Sequence, residues 1–284
     1  MAGDQTSPEP AGRPASDLRL RVLSALVLGP AALAIAYLGG PIFAALVLAG
    51  GILFLREWLV IVGETPAGRA ALAGYAVVAA TAVLAYYGEA VAAVAVTLAA
   101  GLLLYGLSGV RPLGRWSAEG LLYAGLAVVA LIVERQGVQG DFFVLYLIAV
   151  VWTTDIAAYF VGRSVGGPRL WPRVSPKKTW AGAIGGLVLG AGAGAGLALV
   201  FGRADILHWL ALAVFLSAVS QGGDLLESAV KRRFGVKDSG ALIPGHGGLM
   251  DRVDGLVAAA IAAAVLGLLL GGAPADPIAG IGLT

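Results

Sequence analysis

Cysteine is absent from the 284 residues, which excludes disulfides, thiolate metal sites and a cysteine nucleophile. Charge is scarce as well: Asp, Glu, Lys and Arg make up 13% of the chain, roughly half the share of an ordinary globular domain. Evenly alternating strands with turn signals are missing, which argues against a membrane β-barrel. There is also no polar segment long enough for a separate extramembrane domain. What fills the sequence is apolar, with 59% hydrophobic residues and a mean hydropathy of +0.89. A water-soluble fold of this size could not hide that much apolar surface, so composition defines an all-α integral membrane protein. The net charge of +2 carries little information, because in a membrane protein the distribution of charge matters more than its total.

A helical span takes about 20 mostly apolar residues, and on that rule the sequence predicts about nine. They run over 20–38, 41–62, 70–87, 90–107, 120–134, 142–162, 180–201, 206–224 and 252–271. The fifth is short, and the first two nearly touch across Gly39, Gly40 and Pro41. Threading the chain through these spans with its N-terminus in the cytoplasm puts all but Arg135 and Arg203 of the 19 Lys and Arg residues inside. One missed helix would scramble that bias, so the positive-inside rule supports both the count and a C-terminus outside. The expected division is a disordered polar leader over 1–19, a five-helix scaffold over 20–141, a four-helix catalytic region over 142–271 with two cytoplasmic loops, and a tail over 272–284. The first apolar run lacks a convincing cleavage site and reads as a retained helix rather than a signal peptide. Glu57 stands alone in the second span beside Arg56, a pattern expected of a pair at the membrane surface.

Ionisable residues concentrate in two inner loops. In the sixth span, Asp155 lies about 10 Å from the inner end at 1.5 Å per residue, where an unpaired carboxylate is costly. Glycines and prolines in 163–182 forbid a regular helix, and Ser175, Lys177, Lys178 and Thr179 stand directly before the seventh span. Hydroxyls, ammonium groups and the free amides of a helix start together suit a phosphate. In the second loop, Asp224, Glu227, Ser228 and Lys231 share one face if the eighth helix continues inward, at i, i+3, i+4 and i+7. A glycine-rich turn with Lys237, Asp238, His246, Gly247 and Gly248 follows, and Asp251, Arg252 and Asp254 open the ninth span. Carboxylates on two facing helix ends suit a hard cation, with Mg²⁺ the usual choice where phosphates complete its shell. Cations beside several Lys and Arg side chains are what transfer of a phosphoryl or nucleotidyl group between two anions requires.

The run from Ser228 to Asp254 carries Lys231, Arg232, Lys237, Asp238, Gly240, Ile243, Pro244, His246, Gly247, Gly248, Leu249, Asp251, Arg252 and Asp254 at fixed spacing. It resembles the signature of the phosphatidate cytidylyltransferases, the CDP-diacylglycerol synthases. Upstream, the QGGD run ending at Asp224 with Glu227 and Ser228 after it, the SPKKT run from Ser175 to Thr179, and Asp155 with Ala158, Tyr159 and Gly162 are similar to the same family. The resemblance covers about 142–271. It implies conversion of CTP and phosphatidate to CDP-diacylglycerol and pyrophosphate, Mg²⁺ dependence with two cations, a homodimer, and no nucleic acid partner. Carried onto this sequence, it implies metal ligation by Asp224, Asp251, Asp254 and Asp155, and catalytic roles for Lys231, Lys237, Asp238, His246 and Arg252. Ser175, Lys177, Lys178, Thr179, Ser228, Arg232, Gly247 and Gly248 would hold CTP or its phosphates. A CTP-dependent lipid-alcohol kinase would need a group to activate a hydroxyl. A transporter of anionic solutes would show an internal repeat, and none is visible.

Overall fold

The computed structural model describes residues 15–107, 112–240 and 247–282, with side chains from 26 onward in the first stretch and from 114 in the second. Within them the chain forms helices α1 (Ala15–Leu38), α2 (Gly40–Ile61), α3 (Arg69–Tyr86), α4 (Ala90–Leu107) and α5 (Pro112–Gln136), followed by α6 (Gly140–Val165). A two-stranded antiparallel hairpin, β1 (Arg169–Trp171) and β2 (Ser175–Thr179), separates α6 from α7 (Trp180–Val200). Then come α8 (Ile206–Arg233), α9 (Met250–Leu269) and a short 3₁₀ turn at Pro277–Ile281. Helices α2 to α9 are each long and apolar enough to cross a membrane, eight among the described residues. Large apolar side chains such as Leu72, Leu102, Val188 and Leu199 project from them into the surroundings, as lipid-facing residues do.

Helix boundaries follow local chemistry. The apolar run from α1 into α2 breaks because Gly39 and Gly40 both adopt positive φ, 66° and 62°, with a proline opening α2. Helix α5 is longer than the apolar window over 120–134, because its first turns carry Arg115, Ser117 and Glu119. Helix α8 does continue past the apolar segment, to Arg233. The proline- and glycine-rich loop after α6 is a β-hairpin rather than irregular chain. Of the leader, 1–14 lies outside the described residues and 15–19 is already helical.

Packing is tightest where side chains vanish. Gly182, Gly186 and Gly190 of α7 lie against Thr154, Ala158 and Gly162 of α6, and a Cβ on Gly186 would stand 2.8 Å from the Thr154 carbonyl oxygen. Such small-residue seams let membrane helices approach at backbone distance. Thr154 Oγ1 then donates to Ser217 Oγ at 2.8 Å, tying α6 to α8, and Gln221 Nε2 donates to the Ala183 carbonyl at 3.2 Å, tying α8 to α7. On the other side, Phe54, Trp58 and Tyr123 form an aromatic cluster between α2 and α5, and Trp58 Nε1 donates to the Trp116 carbonyl at 2.7 Å. One apolar core runs through both groups of helices, joining Phe54 and Val128 to Val144, Val230, Met250 and Val257.

Candidate active site

The C-terminal half of α8 and the start of α9 face one another across a group of carboxylates. Asp224, Glu227 and Asp254 each offer an oxygen, and the three oxygens lie within 4.8 Å of one another. Glu227 and Asp254 are buried, at 2% and 8% exposure. Lys231, one turn beyond Glu227, places its ammonium 2.8 Å from Glu227 Oε2 and also pairs with Asp251. Asp251 Oδ2 accepts a hydrogen bond from the Ser239 amide at 3.1 Å. Lys178, near the end of β2, pairs with Asp224, and Ser228 Oγ lies 3.4 Å from Asp224 Oδ1. Asp155 on α6 is exposed but within electrostatic reach of Asp224, Asp254 and Lys178. Four separate segments therefore converge on one point at one end of the bundle.

The donor set fits a hard divalent cation. It consists only of carboxylate oxygens, and buried Glu227 Oε1 receives no hydrogen bond from any described residue. An orphaned, buried carboxylate oxygen is costly unless a cation or proton meets it. Asp224, Glu227 and Asp254 are the residues that would hold the ion.

Not every expected residue joins the group. Asp251 turns to Lys231 and the Ser239 amide and lies outside the three-carboxylate cluster, whereas Glu227, which the sequence reading kept on the shared face without a metal role, lies inside it. Thr179 is the N-cap of α7: its hydroxyl accepts from the Gly182 amide at 3.1 Å and is buried. Arg232 reaches the Val174 and Val236 carbonyls, fastening the hairpin to the end of α8. Ser175 is half-buried on β2, while Lys177, Lys237, Asp238 and Arg252 are exposed around the site. Gly247 adopts φ +88°, and Gly248 packs against Ser239 and Glu57. His246 lies outside the described residues.

The pairing of Glu57 with Arg56 at the surface is overturned. Glu57 is 2% exposed and accepts hydrogen bonds from the segment that leads into α9, while Arg56 is exposed. No local signal marks this, because its partners are 182 to 193 positions away in sequence. Arg135 and Arg203, the two cations outside the positive-inside count, lie at the end of the bundle opposite the carboxylates. Arg135 reaches the Ala36 and Tyr37 carbonyls at the end of α1, and Arg203 reaches Gln139 at the start of α6.

Fold and site define a multi-pass helical membrane protein with a carboxylate and lysine centre suited to metal-assisted phosphate chemistry. The chain belongs to the cytidylyltransferase family, whose model matches residues 19–270. It is 40% identical over 246 residues to the phosphatidate cytidylyltransferase of Brucella suis biovar 1, covering 86% of this chain and 91% of that one. Shorter matches join it to the phosphatidate cytidylyltransferases of Bacillus subtilis, 44% identical over 39% of this chain and 42% of that one, and Haemophilus influenzae, 45% identical over 43% and 44%. The protein is thus a membrane-embedded nucleotidyltransferase, of a family that generally uses divalent metals.

Proposed function

We propose that the protein makes CDP-diacylglycerol from CTP and phosphatidate, releasing pyrophosphate, at the cytoplasmic face of the cell membrane. The observation that carries this reading is the meeting of three carboxylates from α8 and α9 with Lys178 of the hairpin at one end of a membrane bundle. A phosphate oxygen of phosphatidate attacks the α-phosphorus of CTP. The bond from that phosphorus to the bridging oxygen breaks, and the electron pair leaves with pyrophosphate. The lipid phosphate is already ionised, so no side chain need take a proton from it, and no covalent enzyme intermediate is required.

A divalent cation, Mg²⁺ in this reading and one of two, supplies charge neutralisation at the triphosphate when bound. The chain's own residues do the rest. Lys178, on a hairpin pinned by Arg232, offers a cation to the nucleotide phosphates. Lys231 pairs with both Glu227 and Asp251 and so offsets the repulsion between the two acids, letting them lie close together. An apolar groove lined by Tyr123, Gly222, Gly223, Leu226, Ala258 and Ile261 borders the carboxylates and suits a diacylglycerol tail. Exposed Lys237, Asp238 and Arg252 complete the phosphate-facing rim, and the family resemblance gives His246 a catalytic role. The nine-span topology, with N-terminus inside and C-terminus outside, puts this end of the bundle at the cytoplasm, where CTP is found. A homodimer belongs to the same reading and rests on the family resemblance.

The test is purified protein in detergent with phosphatidate, labelled CTP and Mg²⁺, followed by extraction into chloroform. Label is expected in a liponucleotide, lost with a chelator and reduced about 100-fold or more by Asp224→Asn, the scale of one lost catalytic electrostatic contact. Folded wild-type protein that labels no lipid refutes the assignment.

A further inference from the structure

Helix α9 carries Asp251 and Asp254, so its height and rotation decide whether the carboxylates meet. Its own sequence does not fix its start. Leu249 stands at the N-cap and has no side-chain oxygen to satisfy the first free amides, which are costly when buried in an apolar bundle. The missing acceptor comes from α2. Glu57 Oε1 accepts from the Leu249 amide at 2.9 Å, and Oε2 accepts from the Met250 amide at 2.8 Å and from Ser239 Oγ at 3.0 Å. A carboxylate at a helix N-terminus also meets the positive end of the helix dipole.

The same contacts continue into the active site. Ser239 gives its hydroxyl to Glu57 and its amide to Asp251, Asp251 pairs with Lys231, and Lys231 pairs with Glu227 of the cation cluster. The glycines of the turn make room for this arrangement. A Cβ on Gly248 would stand 2.6 Å from Glu57 Oε2, and one on Gly240 would stand 3.0 Å from Oε1. We propose that Glu57 is a positioning residue for nucleotidyl transfer: by capping α9 from another helix it holds Asp254 against Asp224 and Glu227, and Asp251 against Lys231. The inference rests on the reading of those three carboxylates as a cation site.

The experiment uses full-length protein in detergent and compares wild type with Glu57→Gln and Ser239→Ala. Glutamine keeps the size of Glu57 but turns an NH₂ toward an amide donor, and alanine removes one hydrogen bond of the three. Mn²⁺ binding to the substrate-free protein is followed by electron paramagnetic resonance. Alongside it run the Mn²⁺ concentration giving half-maximal transfer and the midpoint of thermal unfolding. Glu57→Gln is expected to raise the Mn²⁺ dissociation constant about 10-fold, the lower range for loss of an outer-shell partner, and to raise the half-activating concentration in parallel. Velocity at saturating Mn²⁺ should recover most of its wild-type value. Ser239→Ala should move both quantities in the same direction by less, and it serves alone if Glu57→Gln does not fold. Wild-type Mn²⁺ affinity and half-activation in the variants, with or without a lower unfolding midpoint, overturn the proposal and leave Glu57 a purely structural cap. Wild type that binds no Mn²⁺ refutes the cation site itself, and this inference with it.

Discussion

Lys231 is the cation on which the buried acids of α8 and α9 depend, and replacing it with methionine tests that dependence. The residue is 8% exposed, and its ammonium lies between Glu227 Oε2, at 2.8 Å, and Asp251. Methionine fills much of the same space, so little packing is lost. What remains is a pair of carboxylates without their shared counter-charge. At a separation of about 4 Å and an effective dielectric near 20, each lost attraction is worth about 4 kcal/mol before solvation is restored. Breaking a buried pair by removing one partner costs about 3–5 kcal/mol in practice. Lys231→Met is therefore expected to lower the unfolding free energy by about 3–5 kcal/mol, measured by denaturant unfolding in detergent with chelator present, so that no divalent ion substitutes for the lysine. Glu227→Gln added to Lys231→Met should recover a large part of that loss while leaving transfer abolished. The two single variants and the double variant form a cycle that isolates the pair. Lys231→Met as stable as wild type in chelator refutes the counter-charge argument.

Other perturbations separate the nucleotide contact, the helix seam and the scaffold. Lys178→Met is expected to raise the CTP concentration for half-maximal velocity about 10-fold, the scale of one hydrogen bond to a charged group, while exposed Lys177→Met changes it less; equal effects place the nucleotide elsewhere on the hairpin. Gly186→Ala puts a Cβ 2.8 Å from the Thr154 carbonyl oxygen, which should cost about 1–3 kcal/mol and slow transfer by moving Asp155, read as a lower unfolding midpoint together with lower turnover. Thr81 and Thr97 hydroxyls meet at 2.9 Å between α3 and α4, so Thr81→Val should cost about 1 kcal/mol in unfolding with transfer unchanged.

How far the sequence could be read depended on the range of the contacts. Apolar windows predict the helices because burial in lipid is a local property of about 20 residues. The shared face of Asp224, Glu227, Ser228 and Lys231 is equally legible, since it needs only helical spacing and α8 continues as that spacing requires. The same spacing rule is coarser at α9. Asp251 and Asp254 sit three residues apart, yet three residues turn a helix by about 300°, leaving the side chains about 60° apart. One carboxylate meets Lys231 and the other meets Asp224 and Glu227. The hairpin was hidden because its strands are three and five residues long and broken by proline, too short for alternation to show. Glu57 was misread for a different reason: a lone acid beside an arginine in an apolar helix looks like a surface pair, and nothing in its neighbourhood names Leu249, Met250 or Ser239.

That misreading bears on what the first five helices are for. A scaffold that only anchored the chain would need apolar packing and nothing else. Here α2 supplies a buried carboxylate to the start of α9, and α5 supplies Tyr123 to the groove beside the carboxylates. Their apolar faces also share one core with Val144, Val230, Met250 and Val257 from α6, α8 and α9. A shift of α2 by one helical turn, about 5.4 Å, would withdraw Glu57 from all three of its donors at once. Asp224, Glu227 and Asp254 all belong to the second half of the chain, but the geometry that brings their oxygens within 4.8 Å of one another belongs to the whole bundle.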